Sequence, residues 1–395
     1  MTPRLVLTGF RLLVTLAITV LIGTSSVFAA SVSPSVIIPS PPSVSASSYI
    51  LLDATTGEVI FEKNADERLS PASLTKMMTA YIVEAELDRG TIAMTDEVPV
   101  SVKAWKTGGS RMFIKEGDTV KLEDLLKGII IQSGNDASVA VAEHIAGGEA
   151  AFVDIMNQQA KLLGMQNTQF QSATGLPRSD QYSSAKDLAI LASHIIQDYP
   201  ENYPLYAQKN FTYGGIQQPN RNRLLWRDDS VDGLKTGYTR DAGYCMVASA
   251  KREETRLVAV VMGASGPEAR AVEAQKMLSY GFRYYKTATF VEPHGDHPFG
   301  EADVWKGADE TVPLTVAEPV VVTVPVGTQV SSWDIELDEY IEAPIAEGDV
   351  LGEVKISYPG GQTVTNLVAA RPIEEAGFFG RLFDAIAMFF HSIFS

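Results

Sequence analysis

Apolar positions recur along this chain with two different periods, and the places where the period changes divide it. Residues 49–53 and 58–61 flank Ala54-Thr55-Thr56-Gly57, which predicts strand, turn and strand. Residues 73–87 predict a helix. Leu74, Met77, Met78, Tyr81, Ile82 and Ala85 leave it no broad polar face, so other elements must cover it on nearly all sides. Residues 120–131 place Leu122, Leu125, Leu126 and Ile129 at helical spacing. Ser133-Gly134-Asn135-Asp136 breaks that pattern before a further helical stretch at 137–145. Residues 150–163, stopped by Gly164, and 184–196 predict two more helices. Strand character then returns in Gly233-Leu234-Lys235-Thr236-Gly237, in 244–250 and, after a charged turn, in 256–262. Residues 269–280 close with a helix. Strands at both ends and helices between them give an α+β fold, with the terminal strands in one antiparallel sheet and the helical cluster against it.

The pattern changes again near residue 290. Stretches 312–324, 335–337, 350–358 and 363–369 predict short strands separated by Gly, Pro and acidic turns, hence a small all-β, sandwich-like domain. In the last stretch, Phe378, Phe379, Leu382, Phe383, Ile386, Phe389, Phe390, Ile393 and Phe394 fall on one helical face. Glu374, Arg381, Asp384, His391 and Ser395 fall on the other. Charges at 381 and 384 argue against a span, so this segment predicts a C-terminal amphipathic helix lying in a membrane interface. Basic residues are scarce in it, so attachment would rest on apolar burial.

The ends and the composition add a setting. Arg4 and Arg11, an apolar stretch at 12–22 and the small residues of Val27-Phe28-Ala29-Ala30 read as a secretory signal peptide over 1–29. A Ser/Pro-rich linker over 30–46 leads to a catalytic domain at 47–289, the β-domain at 290–371 and the helix at 372–395. A formal net charge of -16 argues against nucleic acid as a partner. The single cysteine, Cys245, excludes an internal disulfide framework and reads as a small buried strand residue. His294 and His297 sit in a Pro/Gly-rich stretch that reads as an interdomain loop, and no metal or cofactor is called for.

Ser73 and Lys76 are three apart at the head of the predicted core helix, so hydroxyl and amine share a face one turn apart. S-x-x-K alone is short. Its weight comes from Ser133-Gly134-Asn135 on an interhelical loop and Lys235-Thr236-Gly237 at a strand, in that order. The trio S-x-x-K, S-D-N and K-T-G marks class A β-lactamases and penicillin-binding proteins. The chain resembles the low-molecular-weight, class C penicillin-binding proteins, that is, the serine-type D-alanyl-D-alanine carboxypeptidase family related to penicillin-binding protein 5. Gly109-Ser110-Arg111-Met112-Phe113, Asn220-Arg221-Asn222-Arg223-Leu224-Leu225-Trp226, Gly281-Phe282-Arg283 and Gly377-Phe378-Phe379-Gly380-Arg381 extend the resemblance over nearly all of the chain beyond the signal. Gly134 stands where the lactamase motif has Asp, as in the carboxypeptidases.

No histidine falls in the three motifs, which leaves Lys76 as the base for Ser73. It must be neutral to take a proton, so burial and nearby Lys235 are expected to lower its pKa. Ser73 would attack the peptide carbonyl and form an acyl-enzyme that water hydrolyses, with its own N–H at the helix start favouring the oxyanion. Ser133 would relay a proton to the leaving amine, and Asn135 would orient the substrate amide. The resemblance implies a second oxyanion donor from the backbone of Tyr238, a position that is often His in the family. Lys235, Thr236 and Gly237 would bind the terminal carboxylate. Arg270 matches a family arginine implicated in the same task, and Arg221 either shares it or only ties loops together.

The implied function is removal of the terminal D-alanine from peptidoglycan stem pentapeptides at the periplasmic face of an inner membrane, with β-lactams as covalent inhibitors. Cleavage of crosslinks by a D,D-endopeptidase uses the same acyl chemistry. A class A β-lactamase would need a glutamate in an E-x-x-L-N-like loop, where this chain has Gln171-Ser172-Ala173-Thr174-Gly175-Leu176. A non-catalytic wall-binding protein would have no need of intact Ser73, Lys76, Ser133 and Lys235.

Overall fold

Alternate residues of a strand point to opposite faces, and here both faces are apolar, so the central sheet must be covered on both sides. The structure, a computed structural model, describes residues 37–293, 299–330 and 332–394. The expected signal peptide, residues 30–36 of the linker and the His294/His297 stretch lie outside the described residues. Strands β1 (Ser48–Asp53) and β2 (Val59–Lys63) form the predicted hairpin. They join β3 (Val231–Thr239), β4 (Gly243–Arg252) and β5 (Thr255–Ala264) in one antiparallel sheet of order β2-β1-β5-β4-β3. Ile50, Leu52, Val247, Val258 and Val260 turn to one face; Leu51, Ala248, Leu257 and Ala259 turn to the other.

The first face carries the helical cluster. Helix α1 (Lys76–Asp88) is buried from Lys76 through Ala85, as its sequence demands. Around it lie α2 (Val102–Lys106), α3 (Leu122–Lys127), α4 (Asn135–Ala146), α5 (Glu149–Leu162) and α6 (Ala185–Asp198). Ser184 caps α6 by accepting the Asp187 N–H at 3.1 Å. The second face is covered by α7 (Pro267–Tyr284), through Ala271, Ala274, Met277 and Leu278. The sheet therefore lies between helices rather than against one cluster.

Two predicted helices differ at their ends. Ser73 does not begin an α-helix; it sits on a 3-10 turn, Ala72–Thr75, that feeds α1. Ala72 there has φ +47, a bend no regular helix contains. In the 120–131 stretch, Thr119–Lys121 is strand, and after α3 the chain widens into a π turn, Gly128–Gln132. That turn ends at Ser133, held at φ +64.

Beyond α7 come β6 (Tyr285–Val291), β7 (Glu301–Asp303), β8 (Thr311–Val316), β9 (Val320–Pro325), β10 (Ser332–Leu337), β11 (Val350–Tyr358) and β12 (Gly361–Ala369). A five-stranded sheet runs β7-β8-β12-β11-β10, and β6 pairs with β9. Pro319 lies between β8 and β9, where a residue without an N–H costs no ladder bond. Val312, Leu314, Val354, Ile356 and Leu367 fill this second core. At the junction, buried Asp53 accepts hydrogen bonds from Thr287 at 2.5 Å and Thr323 at 2.8 Å.

Helix α8 (Phe378–Phe394) ends the described chain. Its polar side meets the β-domain: Asp384 accepts the Lys306 backbone N–H at 2.6 Å. Phe378, Phe379, Leu382, Phe383 and Ile386 remain exposed. Among the described residues no helix is long and apolar enough to cross a membrane.

Candidate active site

Strand β3 is one edge of the central sheet, and the Ala72–Thr75 turn packs beside it. Gly237 permits that approach. A Cβ there would stand 3.1 Å from the Pro71 carbonyl and 3.3 Å from the Ala72 Cβ. The approach sets Ser73, half-buried, on the floor of a cleft of about 570 Å³. Ser133, Asn135, Thr236, Gly237, Tyr238, Arg221 and Arg270 line the same cleft. The three sequence motifs, up to 162 positions apart from Ser73 to Lys235, thus meet in one place.

Lys76 is 1 % exposed and lies 3.2 Å from Ser73 Oγ. Its Nζ also donates to Asn135 Oδ1 at 2.6 Å and to the Thr174 carbonyl at 2.5 Å. Burial first, then the charge of Arg221, and against them Asp136, bring its pKa down to about 7. Arg221 thus adds to the neighbour effect expected of Lys235, whose charge and that of Lys76 oppose one another. A neutral amine has two N–H bonds and one lone pair. With both N–H groups committed to Asn135 and Thr174, the lone pair is left for the Ser73 hydroxyl. The arrangement is chemically that of a base next to a nucleophile.

Lys235 is also buried and donates to Ser133 Oγ at 3.0 Å and to the Thr236 carbonyl at 2.9 Å. Burial, followed by the charges of Lys76, Arg221 and Arg270, holds its pKa well below the ordinary lysine range. The two amines disfavour each other's protons, so an incoming anion would favour the charged form of Lys235. Arg270 reaches from α7 to the Gly237 carbonyl at 2.8 Å and the Cys245 carbonyl at 3.4 Å, and lies 5.6 Å from the centre of the Tyr244 ring. Burial lowers its pKa to about 10. Tyr238 stacks on Tyr244 with ring centres 4.3 Å apart and is more than half exposed.

The Asn-Arg-Asn-Arg stretch divides its work. Asn220 donates to the Tyr206 and Gln208 carbonyls, and Asn222 donates to the Gly233 carbonyl at 2.8 Å. The loop-tying is done by the asparagines, and Arg221 is left over the cleft. Arg223 pairs with Glu268 at 3.1 Å. Cys245 is fully buried in β4, and burial raises its thiol pKa, away from nucleophilic use.

Sequence reasoning missed two supports. Thr174 acts through its carbonyl, which no side-chain pattern announces. It is brought there by Gly175 at φ +75, where a Cβ would lie 1.9 Å from the Ala72 carbonyl oxygen. Asp136 is the other, a motif residue whose task its spacing does not reveal. Its carboxylate accepts the N–H groups of Met112 at 3.0 Å and Phe113 at 2.9 Å, fixing the opposite lip.

Comparison with known proteins follows the same outline. Residues 35–266 match the family model described as D-alanyl-D-alanine carboxypeptidase, and residues 285–375 match that of the penicillin-binding protein 5 C-terminal domain. The chain is 43% identical over 364 residues to the D-alanyl-D-alanine carboxypeptidase DacC of Escherichia coli, covering 89% of this chain and 90% of that one. The crystal structure of penicillin-binding protein 5 from Haemophilus influenzae superposes with a TM-score of 0.79 at 40% identity, covering 85% of this chain and all of that one. Penicillin-binding protein D2 of Listeria monocytogenes, solved in its ampicillin-bound form, superposes at 0.57 with 31% identity, covering 62% of this chain and all of that one.

Proposed function

The chain belongs to the D-alanyl-D-alanine carboxypeptidase family, and on that premise we propose that it removes the terminal D-alanine from peptidoglycan stem pentapeptides through an acyl-enzyme on Ser73. The observation that carries the reading is the contact of a buried, easily neutralised Lys76 with Ser73. Lys76 takes the hydroxyl proton as Ser73 attacks. The carbonyl becomes a tetrahedral oxyanion, met by the backbone N–H groups of Ser73 and Tyr238. Collapse expels D-alanine, whose amine receives its proton through Ser133, and water then hydrolyses the ester. Asn135 orients the substrate amide. Lys235, Thr236 and Arg270, with Gly237 letting the strand edge approach, hold the terminal carboxylate that makes the reaction a carboxypeptidase reaction.

A penicillin enters the same path as a cyclic acyl donor. Among the described residues no carboxylate lines the cleft, and segment 171–176 offers Lys76 a carbonyl rather than a glutamate for water. Slow loss of the penicilloyl group follows. The domain reading places catalysis in 47–289 and makes 290–371 a spacer. The exposed apolar face of α8 supports interfacial attachment at the periplasmic side of the inner membrane after export.

Labelling with fluorescent penicillin, wild type against Ser73→Ala, tests the acyl-enzyme, with mass spectrometry to map the modified residue. Release of D-alanine from pentapeptide, compared with cleavage of crosslinked dimers, tests the substrate. Absence of label on the wild type overturns the serine mechanism.

A further inference from the structure

The cleft is cationic in a chain whose formal net charge is -16, and its cations fall into two groups. Lys76, Lys235, Arg221 and Arg270 form the first. The charges that bear on Lys235 are Lys76, Arg221 and Arg270, and Arg221 bears on Lys76 and Arg270 as well. One terminal carboxylate accounts for this group. Arg111 is the second. It lines the cleft from the other lip, half-buried, and among the described residues its guanidinium has no ion pair. Its guanidinium lies over an aromatic ring, 5.5 Å from the centre of Phe113.

The lip that carries Arg111 is built to hold its shape. Phe113 adopts φ +72, a strained conformation for an aromatic residue, while its ring stays 47 % exposed. Asp136 grips the amides of Met112 and Phe113. Gln132 and Gln218 donate to the carbonyls of Arg111 and Met112 at 3.3 and 3.1 Å, and the Asn135 N–H donates to Ser110 at 2.7 Å. Asn135 is therefore shared between this lip and Lys76. A rigid backbone with a free guanidinium stacked on an exposed ring suits recognition, since little order remains to be imposed on binding.

We propose that Arg111, with Phe113 as its aromatic floor, is a specificity-determining site for a second carboxylate, one carried by the peptide on the acyl side of the scissile bond. The inference rests on the carboxypeptidase reading, because that reading assigns the terminal carboxylate to the Lys235 group. The cleft then binds a peptide that is anionic at two separated points, and a neutral peptide ending in D-alanyl-D-alanine is a poorer substrate.

The test uses the full chain and two N-acetylated peptides that end in D-alanyl-D-alanine and differ only upstream, where one has a side-chain carboxylate and the other its carboxamide. For the wild type, kcat/KM is expected to favour the acid about fivefold to tenfold, mostly through KM, as for a partly exposed charge-assisted contact. Arg111→Gln removes the preference, and Arg111→Lys keeps part of it. Equal rates on the two peptides, or a preference that survives Arg111→Gln, overturn the inference while penicillin labelling of wild-type Ser73 leaves the carboxypeptidase reading standing. A wild type that neither takes the label nor releases D-alanine overturns both.

Discussion

Lys76 Nζ stands 3.2 Å from Ser73 Oγ with its other two directions occupied by Asn135 and Thr174. With a pKa near 7 the amine is half neutral at neutral pH. Acylation is expected to rise about fivefold between pH 6 and pH 7 and less than twofold above that, as the neutral fraction saturates. Stopped-flow acylation by a penicillin across pH 5 to 9 measures it. Lys76→Met should lower the rate about 10²–10⁴-fold and flatten the profile.

The same residue links to stability with a definite sign. The pKa of Lys76 is lower in the folded chain than its ordinary value of 10.5. Between about 7 and 10.5 the unfolded chain therefore binds the extra proton, and stability rises with pH across that window. Below it the burial penalty is present in full. Lys76→Met removes both the penalty and the slope, and should raise unfolding free energy at pH 7 by about 1–4 kcal/mol. Denaturant melts at pH 7 and pH 10 check the direction.

Glu84 has the opposite sign. It is 2 % exposed on the far side of α1, accepts from Asn202 at 2.6 Å, and burial raises its pKa to about 7. The folded chain binds the extra proton between about 4.5 and 7, so this contribution is present at low pH and lost as pH rises through 7. Glu84→Gln should add about 1–2 kcal/mol at pH 8 and almost nothing at pH 4.5. An equal gain at both pH values would refute the assignment.

What could be read in the sequence was whatever rests on side-chain type. The strand pair at 48–63 and the buried α1 follow from apolar period, and the meeting of Ser73, Lys76, Ser133, Asn135 and Lys235 from the family resemblance that their three motifs carry. What escaped rests on backbone geometry. The positive φ of Ala72 and Ser133 leaves no mark in residue type, and the Thr174 carbonyl has no side-chain signal. The helix on the second sheet face was predicted as an element, but the face it covers depends on strand register.

Gly175 carries one of those hidden constraints. At φ +75 an alanine is strained, and its Cβ would fall 1.9 Å from the Ala72 carbonyl, directly behind the nucleophile. Gly175→Ala should cost about 2–4 kcal/mol of stability. Acylation should fall as well, because moving residue 175 moves the Thr174 carbonyl off Lys76. A variant with wild-type acylation would show that Thr174 does not position the amine.

The tail gives the last prediction. The polar side of α8 is engaged by Lys306 through Asp384, which leaves the phenylalanine-rich side outward. Arg381 is paired with Glu375 and so contributes little charge to an anionic surface. Attachment by apolar burial alone is insensitive to salt, whereas attachment by basic residues weakens within a shorter Debye length. The full chain is expected to sediment with neutral and anionic vesicles alike, at low and at high salt. Phe383→Glu should release it by placing a charge in the apolar face, and a chain ending at residue 371 should stay in solution while still taking penicillin on Ser73. Binding that needs anionic lipid and disappears in high salt would show that the apolar face is not what holds it.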